Sequence, residues 1–157
     1  FSNIESKFIN QKNLKNFSNL VVGFNWVVPN DWIIKSYPKD NWLEVEKLLT
    51  EKYKLTVSWQ KQNYNLIEFL KWIKKCNILI SIVGLGCHIS SILGIKTILL
   101  SGPNDFKESS IDPNIYKILP KNVCEFRPCN LKTGKNNCGC MPYISTKDII
   151  SKFKEII

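Results

Sequence analysis

The sequence predicts an α/β fold in which helices cover both faces of a parallel, Rossmann-like sheet. Short apolar runs of strand length alternate along the chain with segments whose apolar residues recur at helical spacing. The runs at residues 77–83 and 96–101 are apolar almost throughout, as strands are when helices cover both of their faces. With 157 residues, 44% of them hydrophobic, the chain is long enough to bury one such core.

Five strands are predicted. The runs at residues 20–26, 54–59, 77–83 and 96–101 are expected to form the centre of the sheet, and a shorter strand is expected over 116–119. Segment 27–38, between the first strand and the first helix, contains two prolines and is predicted to be a loop. Right-handed crossovers between parallel strands would bring the carboxyl ends of all of them to one edge of the sheet.

Four helices are predicted, over residues 40–53, 66–76, 87–93 and 145–157. Asp40 or Asn41 is expected to cap the first, Asn65 the second and Ser145 the last, while Gly94 ends the third. Four residues at helical spacing are expected to form the buried face of the second helix: Leu66, Phe69, Leu70 and Ile73.

The chain is predicted to consist of one domain over residues 20–157, preceded by a polar linker or tail over 1–19. It contains no run of 18 apolar residues that could span a membrane, and its first residues lack the apolar core and cleavage site of a signal peptide. Its first residue is not methionine, and Met141 is its only one. We therefore expect the chain to be a piece of a longer protein.

The net charge is +9, and Arg127 is the only arginine among the 22 basic residues. A solvated lysine surface explains this charge, and so does attraction to a nucleotide, a phosphorylated glycan or an acidic membrane face. Proteins that read base sequence rely on the two-pronged hydrogen bonding of arginine, so a nucleic-acid partner is not expected.

Ligands of parallel α/β sheets bind at the carboxyl ends of the strands, which here means segments 25–35, 58–60, 83–88 and 101–105. The strongest local feature is Gly84-Leu85-Gly86, where an apolar strand turns into a helix. Glycine lets a backbone approach a ligand closely, and the first N–H groups of a helix bind phosphate. A tight turn without a ligand is the alternative interpretation.

Single polar residues near these strand ends are weaker signals. His88 is the only histidine, and it fits either a structural role or contact with a diphosphate or sugar. Lys35 follows the first strand, which distinguishes it modestly from the other lysines. Asp31, Asp40 and Asp105 lie in predicted loops, where caps and turns are the default role of an aspartate.

Four of the six cysteines cluster in the loop over residues 124–140, with the spacing C-x4-C-x8-C-x-C. They are Cys124, Cys129, Cys138 and Cys140. Common zinc ribbons use C-x2-C pairs, so the pattern leaves open a zinc site, disulfides and free thiols. We expect the four to lie close together in a structural, non-catalytic loop, without metal.

Residues 78–105 resemble the donor-site core of glycosyltransferase family nine, the lipopolysaccharide heptosyltransferase family. That family shows a strand, a glycine-rich turn, a histidine, a helix ending in Leu-Gly, a second strand and Gly-Pro followed by Asp. The matching positions are Leu85-Gly86, His88-Ile89, Leu93-Gly94, Gly102-Pro103 and Asp105. Other features match in the same order, so that the resemblance spans about residues 20–157.

The resemblance implies two Rossmann-like domains that face each other across a cleft, the GT-B arrangement, with this chain as the C-terminal, nucleotide-sugar-binding domain. It implies an inverting, metal-independent transferase without a cofactor, whose acceptor site and catalytic base lie in an N-terminal domain outside this chain. The enzyme would be cytoplasmic, with peripheral contact to the anionic inner membrane as an option. Its acceptor would be lipopolysaccharide or another glycan, free or lipid-linked.

The resemblance also implies roles for particular residues. The amides of Gly84, Leu85 and Gly86 would hold the diphosphate, and Lys35, as the catalytic residue, would neutralise charge on the leaving group. His88 would orient a phosphate oxygen or the turn. With the strand-end positions included, the predicted substrate-binding residues are Asn25, Lys35, Ser58, Trp59, Gln60, Gly84, Leu85, Gly86 and His88.

Two positions depart from the family pattern. Val83 stands where the family has an aspartate linked to recognition of the donor sugar, and valine cannot accept a hydrogen bond. The family's acidic residue near the ribose has no clear match, because Glu68 falls inside a helix. The change at Val83 favours one alternative, a non-catalytic Rossmann-like module that binds a nucleotide or a partner. The four-cysteine loop leaves open another, a zinc-stabilised interaction domain.

Overall fold

Five parallel strands form one sheet in the order β2-β1-β3-β4-β5. The structure is a computed structural model that describes residues 19–104, 112–121, 129 and 140–157. The strands are β1 (Val21–Asn25), β2 (Thr56–Trp59), β3 (Ile78–Ile82), β4 (Lys96–Leu100) and β5 (Ile115–Ile118). The helices are α1 (Lys39–Lys47), α2 (Leu66–Lys74), α3 (Leu85–Ile92) and α4 (Thr146–Ile156). The predicted α/β class and the parallel sheet are confirmed.

The side chains of the strands alternate between two apolar layers, because successive residues of a strand point to opposite faces of the sheet. On one face, α1 and α4 cover a large core to which Val22 and Phe24 of β1 belong. On the other face, α2 and α3 cover a smaller core built around Trp72 and Leu79. All five residues of β3 are buried, as its continuous apolar run predicts.

The position of β2 differs from the expectation. We expected β2 among the central strands, but within the described residues it pairs with β1 alone and lies at the edge of the sheet. The chain adds β2 on one side of β1 and then returns through α2 to add β3 on the other side. This reversal of strand order creates a crevice at the carboxyl ends of β1 and β3.

Two predicted helix details also differ. Neither Asp40 nor Asn41 caps α1, because the helix begins earlier, at Lys39 after Pro38, and continues beyond Lys47 into a π-helical turn (Leu48–Lys52). The buried face of α2 consists of Phe69, Trp72 and Ile73, while Leu66 and Leu70 are exposed. Trp72 explains this rotation of the buried face, because its large ring packs inward and its Nε1 donates to Ser58 Oγ at 2.9 Å.

The predicted caps of two helices and the end of a third are confirmed. Asn65 forms a reciprocal capping box with Glu68 at the start of α2, and Ser145 Oγ accepts from the backbone N–H of Asp148 at the start of α4. Gly94 adopts a left-handed conformation, with φ of 67°, directly after α3.

The segment predicted as a loop contains a 3-10 helix (Asn30–Lys35). Tyr37 fixes the end of this segment: its ring is buried against Trp42, and its hydroxyl donates to the Ile144 carbonyl at 2.9 Å. Burial raises the pKa of Tyr37 to about 12. The residue therefore anchors the segment that carries Lys35 to the chain just before α4.

Replacing Tyr37→Phe should lower the free energy of unfolding by about 1–3 kcal/mol, because the substitution removes a buried hydrogen bond and keeps the ring. Urea denaturation measures this change. The matched control is Tyr143→Phe, whose side chain is exposed and whose removal of a hydroxyl should cost almost nothing. Equal stability of the two variants would show that the Tyr37 hydroxyl does not hold the segment.

The same residue predicts a loss of stability at alkaline pH. Because the pKa of Tyr37 is raised from 10.0 to about 12 in the folded state, folding favours the neutral phenol. The resulting stabilisation is complete below about pH 10 and is lost as the pH rises from about 10 to 12. Urea denaturation across this range should show a smaller decline for Tyr37→Phe than for the wild type.

Candidate functional site

A cavity of about 590 Å³ lies in the crevice at the carboxyl ends of β1 and β3. Three parts of the chain line it, each directly after a strand. Those after β1 are Asn25, Val27, Val28, Pro29, Trp32 and Lys35; those after β2 are Gln60, Gln62, Tyr64, Asn65, Leu66 and Phe69; those at the end of β3 and beyond are Ile82, Val83, Gly84, Leu85 and Gly86. Its position is the one at which parallel α/β sheets bind ligands.

Six of the nine residues predicted from the sequence lie together around this cavity. They are Asn25, Lys35, Gln60, Gly84, Leu85 and Gly86. Lys35 is therefore on the same edge of the sheet as the glycine turn.

Three predicted residues lie outside the cavity lining. Ser58 accepts the hydrogen bond from Trp72 at the base of α2. Trp59 points to the opposite face of the sheet, where it packs on Phe24 and its Nε1 donates to Glu46 at 2.8 Å. His88 is exposed on α3. Alternation along β2 sends Trp59 to the α1 face, which strand-end position alone did not reveal.

The glycine turn leaves the start of α3 open toward the cavity. Gly84 occupies the N-cap position without a side-chain hydrogen bond, and a Cβ atom there would meet nothing within 4 Å. The first N–H groups of a helix lack acceptors within the helix, and the helix dipole makes this end positive. The start of α3 therefore offers backbone donors to an anionic group in the cavity.

Gly86 has a different role, which is close packing. A Cβ atom at Gly86 would lie 2.1 Å from Oδ1 of Asn25, far inside contact distance. The absence of a side chain thus lets the first turn of α3 approach the end of β1. Gly84 therefore leaves the cavity side of the turn open, whereas Gly86 allows α3 to pack closely against β1.

A chain of side-chain hydrogen bonds joins the strand ends beneath the cavity. Ser81 Oγ lies 2.6 Å from Asn25 Oδ1, and Asn25 Nδ2 lies 2.6 Å from Gln60 Oε1. The backbone N–H of Val27 also points to Gln60 Oε1, at 3.3 Å. Asn25 and Ser81 are buried, so the network fixes the relative positions of three strand ends in a part of the site closed to water.

Lys35 is the one charged residue among the described residues that line the cavity. Its Nζ lies 4.4 Å from the centre of the Trp32 ring, a cation–π contact that holds the ammonium group at this wall. Aromatic and aliphatic side chains, among them Phe69 and Leu85, form most of the remaining wall. The cavity can therefore hold a ligand with one anionic and one flat or apolar part.

Cys87, in the first turn of α3, does not supply a reactive thiolate. Its Sγ lies 3.0 Å from the Gly84 carbonyl oxygen, to which the thiol donates. Burial raises the pKa of the Cys87 thiol, and nearby backbone hydrogen bonds and Lys35 lower it to a smaller extent.

The cysteine-rich loop falls largely outside the described residues, which include Cys129 and Cys140 but not Cys124 or Cys138. The backbone N–H of Cys129 donates to the Pro103 carbonyl at 2.8 Å, and Cys140 Cβ would lie 3.5 Å from a Cβ atom at Gly102. Cys129 and Cys140 thus both lie beside the turn that follows β4. Among the described residues, no group of three His, Cys, Asp or Glu side chains could hold a metal ion.

Sequence reasoning missed several lining residues, including Trp32, Gln62 and Tyr64. Trp32 lies three residues before Lys35, and a helical turn over that segment would have brought both to one side. Gln62 and Tyr64 follow the end of β2, so the strand-end rule would have included them if the segment had been extended to the cap of α2.

Two solved structures have this fold. One is a family 9 glycosyl transferase from Veillonella parvula DSM 2008, with a TM-score of 0.63, 14% sequence identity and 98% of this chain covered. The other is ADP-heptose LPS heptosyltransferase II from E. coli, with a TM-score of 0.64, 14% identity and 96% coverage. The fold of this chain is similar to that of half a family 9 glycosyltransferase.

The resemblance to family 9 is thereby confirmed at the level of the fold. The chain spans 50% of the length of each of these two structures. No protein-family model matches the sequence, and no curated protein sequence matches it significantly. At 14% identity, any function in common with the family 9 enzymes has to be argued from the residues of the cavity.

The two glycines of the turn should respond to the same substitution with losses of different size. Gly86→Ala should lower the free energy of unfolding by about 1–3 kcal/mol, because the new methyl group collides with the buried Asn25 side chain. Gly84→Ala should cost less than about 1 kcal/mol, since its methyl group enters open space and the restriction of the unfolded chain offsets the weaker N-cap preference of alanine. Urea denaturation of both variants tests this pair, and a Gly84→Ala variant as unstable as Gly86→Ala would contradict it.

Proposed function

We propose that this chain is the donor-binding half of a glycosyltransferase that moves a sugar from a nucleoside diphosphate to a lipopolysaccharide or another glycan acceptor. The observation that carries the proposal is the cavity at the reversal of strand order, where Lys35 and the open start of α3 lie on one edge. The likeness of the fold to family 9 glycosyltransferases supports the same conclusion.

The diphosphate would lie between Lys35 and the first N–H groups of α3. A diphosphate is anionic and rich in acceptor oxygens, and both protein groups are donors. The apolar part of the wall, with Trp32 on one side and Phe69 on another, would receive the flat nucleoside base.

In the reaction, the acceptor hydroxyl oxygen would form a bond to the anomeric carbon of the donor sugar while the bond from that carbon to the diphosphate oxygen breaks. The electron pair leaves with the diphosphate, whose charge increases. Lys35 and the N–H groups of α3 would stabilise this charge, which is the role of an electrostatic catalyst. The proton of the hydroxyl would go to a base in the other domain.

A second candidate is a non-catalytic module that binds a nucleotide or a partner. The observation in its favour is that none of the described residues lining the cavity carries a carboxylate or an imidazole. A binding role needs neither group. If the module binds a nucleotide, the two candidates agree on the ligand and differ on whether a second domain completes a reaction.

Calorimetric titration of the intact protein with ADP and UDP tests the shared part of the proposal. Lys35→Met should weaken binding about tenfold, because it removes a charge-assisted contact with the diphosphate. The matched control is Lys39→Met. The Lys39 ammonium group lies 3.8 Å from the centre of the Trp59 ring, outside the cavity lining. Lys39→Met therefore changes the net charge by the same amount as Lys35→Met without altering the cavity.

Equal losses in the two variants would reduce the role of Lys35 to net charge and would contradict its placement on the diphosphate. Release of nucleoside diphosphate from donor sugars, measured with and without a glycan acceptor, separates the two candidates. Acceptor-dependent release identifies a transferase, whereas binding without release identifies a binding module.

The exposed face of α2 supports a further part of the proposal, peripheral contact with an anionic cytoplasmic membrane surface. No helix among the described residues has both the length and the apolar composition needed to cross a bilayer. On α2, however, Leu66 and Ile67 are 58% and 63% exposed, and Lys71 and Lys74 are exposed beside them. The aliphatic side chains could insert at the boundary of the acyl chains, while the lysines would contact the anionic headgroups.

Ile67→Glu should weaken binding of the intact protein to phosphatidylglycerol-containing vesicles about tenfold, because it replaces an inserted aliphatic chain with a negative charge. Leu119→Glu is the matched control, since Leu119 is 40% exposed after β5, on the far side of the sheet. Vesicle co-sedimentation measures both. Equal binding by the two variants would exclude the α2 face as the contact. Wild-type protein that binds neutral phosphatidylcholine vesicles as well as phosphatidylglycerol-containing ones would exclude an anionic surface.

A further inference from the structure

The direction of each hydrogen bond in the buried network determines whether Gln60 can donate to a ligand or accept from it. An amide side chain has a carbonyl oxygen that accepts and an NH₂ group that donates, and the two ends are assigned from their partners. Gln60 lines the cavity and also belongs to the network with Asn25 and Val27. Its orientation therefore decides which end remains for the cavity.

The backbone N–H of Val27 sets the orientation of Gln60. A backbone N–H can only donate, so the Gln60 atom that faces it at 3.3 Å must be the acceptor Oε1. The same Oε1 lies 2.6 Å from Asn25, whose contacting atom must then be the donor Nδ2. The opposite orientation would place the Gln60 NH₂ group against the Val27 N–H, two donors facing each other.

Ser81 completes the arrangement at the other end. With Nδ2 of Asn25 directed to Gln60, Oδ1 faces Ser81 Oγ at 2.6 Å, so the hydroxyl hydrogen belongs to this bond. The Ile82 carbonyl, at 2.7 Å from Ser81 Oγ, competes for the same hydrogen. If the hydrogen went to the Ile82 carbonyl, Ser81 Oγ and Asn25 Oδ1 would face each other as two acceptors at 2.6 Å, so the bond to Asn25 is favoured.

We propose that Gln60 is a specificity-determining residue that presents only N–H donors to the cavity, and that the backbone N–H of Val27, together with Asn25, sets this polarity. Oε1 is occupied by two donors, so Nε2 is the end that remains for a ligand. The ligand group that meets Gln60 is a hydrogen-bond acceptor, either an oxygen of the diphosphate or an oxygen of the nucleoside.

This inference rests on the proposed function and narrows it. Lys35, the open start of α3 and Gln60 Nε2 all donate, so a ligand that contacts all three must present an acceptor to each of them. A ligand that presents an N–H or O–H donor to Gln60 would leave two donors facing each other, which should weaken its binding at least about tenfold.

The test is Gln60→Glu in the intact protein. One carboxylate oxygen can still accept from Asn25 and Val27, so the network keeps its hydrogen bonds, while the other oxygen gives the cavity a negatively charged acceptor in place of a donor. The matched control is Gln62→Glu, which adds the same charge to the lining from an exposed position. Calorimetric titration with ADP, UDP, adenosine, uridine and inorganic pyrophosphate gives the affinities, and thermal unfolding gives the stability.

We expect Gln60→Glu to weaken nucleoside-diphosphate binding at least about tenfold, with a melting temperature within a few degrees of the wild type, and Gln62→Glu to weaken it less than threefold. A loss shared with pyrophosphate assigns the acceptor to the diphosphate, and a loss shared with adenosine or uridine assigns it to the nucleoside.

The outcomes separate the two levels of the proposal. Wild-type protein that binds none of the probes overturns the proposed function and this inference with it. Wild-type binding with equal losses in Gln60→Glu and Gln62→Glu overturns the inference alone. A Gln60→Glu variant that binds as tightly as the wild type shows that Gln60 accepts, or touches no ligand, and also overturns it.

Discussion

The buried amide of Asn25 is the contact on which the geometry of the cavity depends. It lies at the end of β1, receives Ser81 of β3, donates to Gln60 beyond β2, and leaves room for the first turn of α3 only because residue 86 is glycine. A buried polar side chain is costly unless all of its partners are in place. That side chain, predicted from the sequence as a ligand contact, lines the cavity and also holds the walls of the site together.

The reversal of strand order explains why the network lies where it does. β1 has β2 on one side and β3 on the other, so its carboxyl end touches the end of every strand that contributes to the cavity. The backbone hydrogen bonds between strands stop at this edge, and beyond it side-chain hydrogen bonds align the strand ends. Tyr37 performs the corresponding task for the segment that carries Lys35, from the opposite face of the sheet.

Local sequence patterns predicted the elements because the forces that form them are local, while the finer placements depend on contacts between distant residues. The continuous apolar run of β3 and the caps at Asn65 and Ser145 follow from neighbouring residues alone. The edge position of β2 does not, since any order of parallel strands satisfies the same pattern. The outward turn of Leu66 depends on Trp72 finding Ser58, a partner fourteen residues away. Strand-end reasoning located the cavity but could not separate Gln60, which lines it, from its neighbour Trp59, which points away.

The hydrogen-bond donors of the cavity lining suit the leaving group of the proposed reaction and not its proton transfer. Lysine, helix N–H groups and an amide NH₂ all stabilise negative charge, so they suit the leaving diphosphate at the moment its charge increases. None of them can accept the proton of an acceptor hydroxyl at neutral pH. None of the described residues that line the cavity carries a carboxylate. In the proposed reaction this wall would therefore serve the leaving group, and the proton acceptor would come from the other domain.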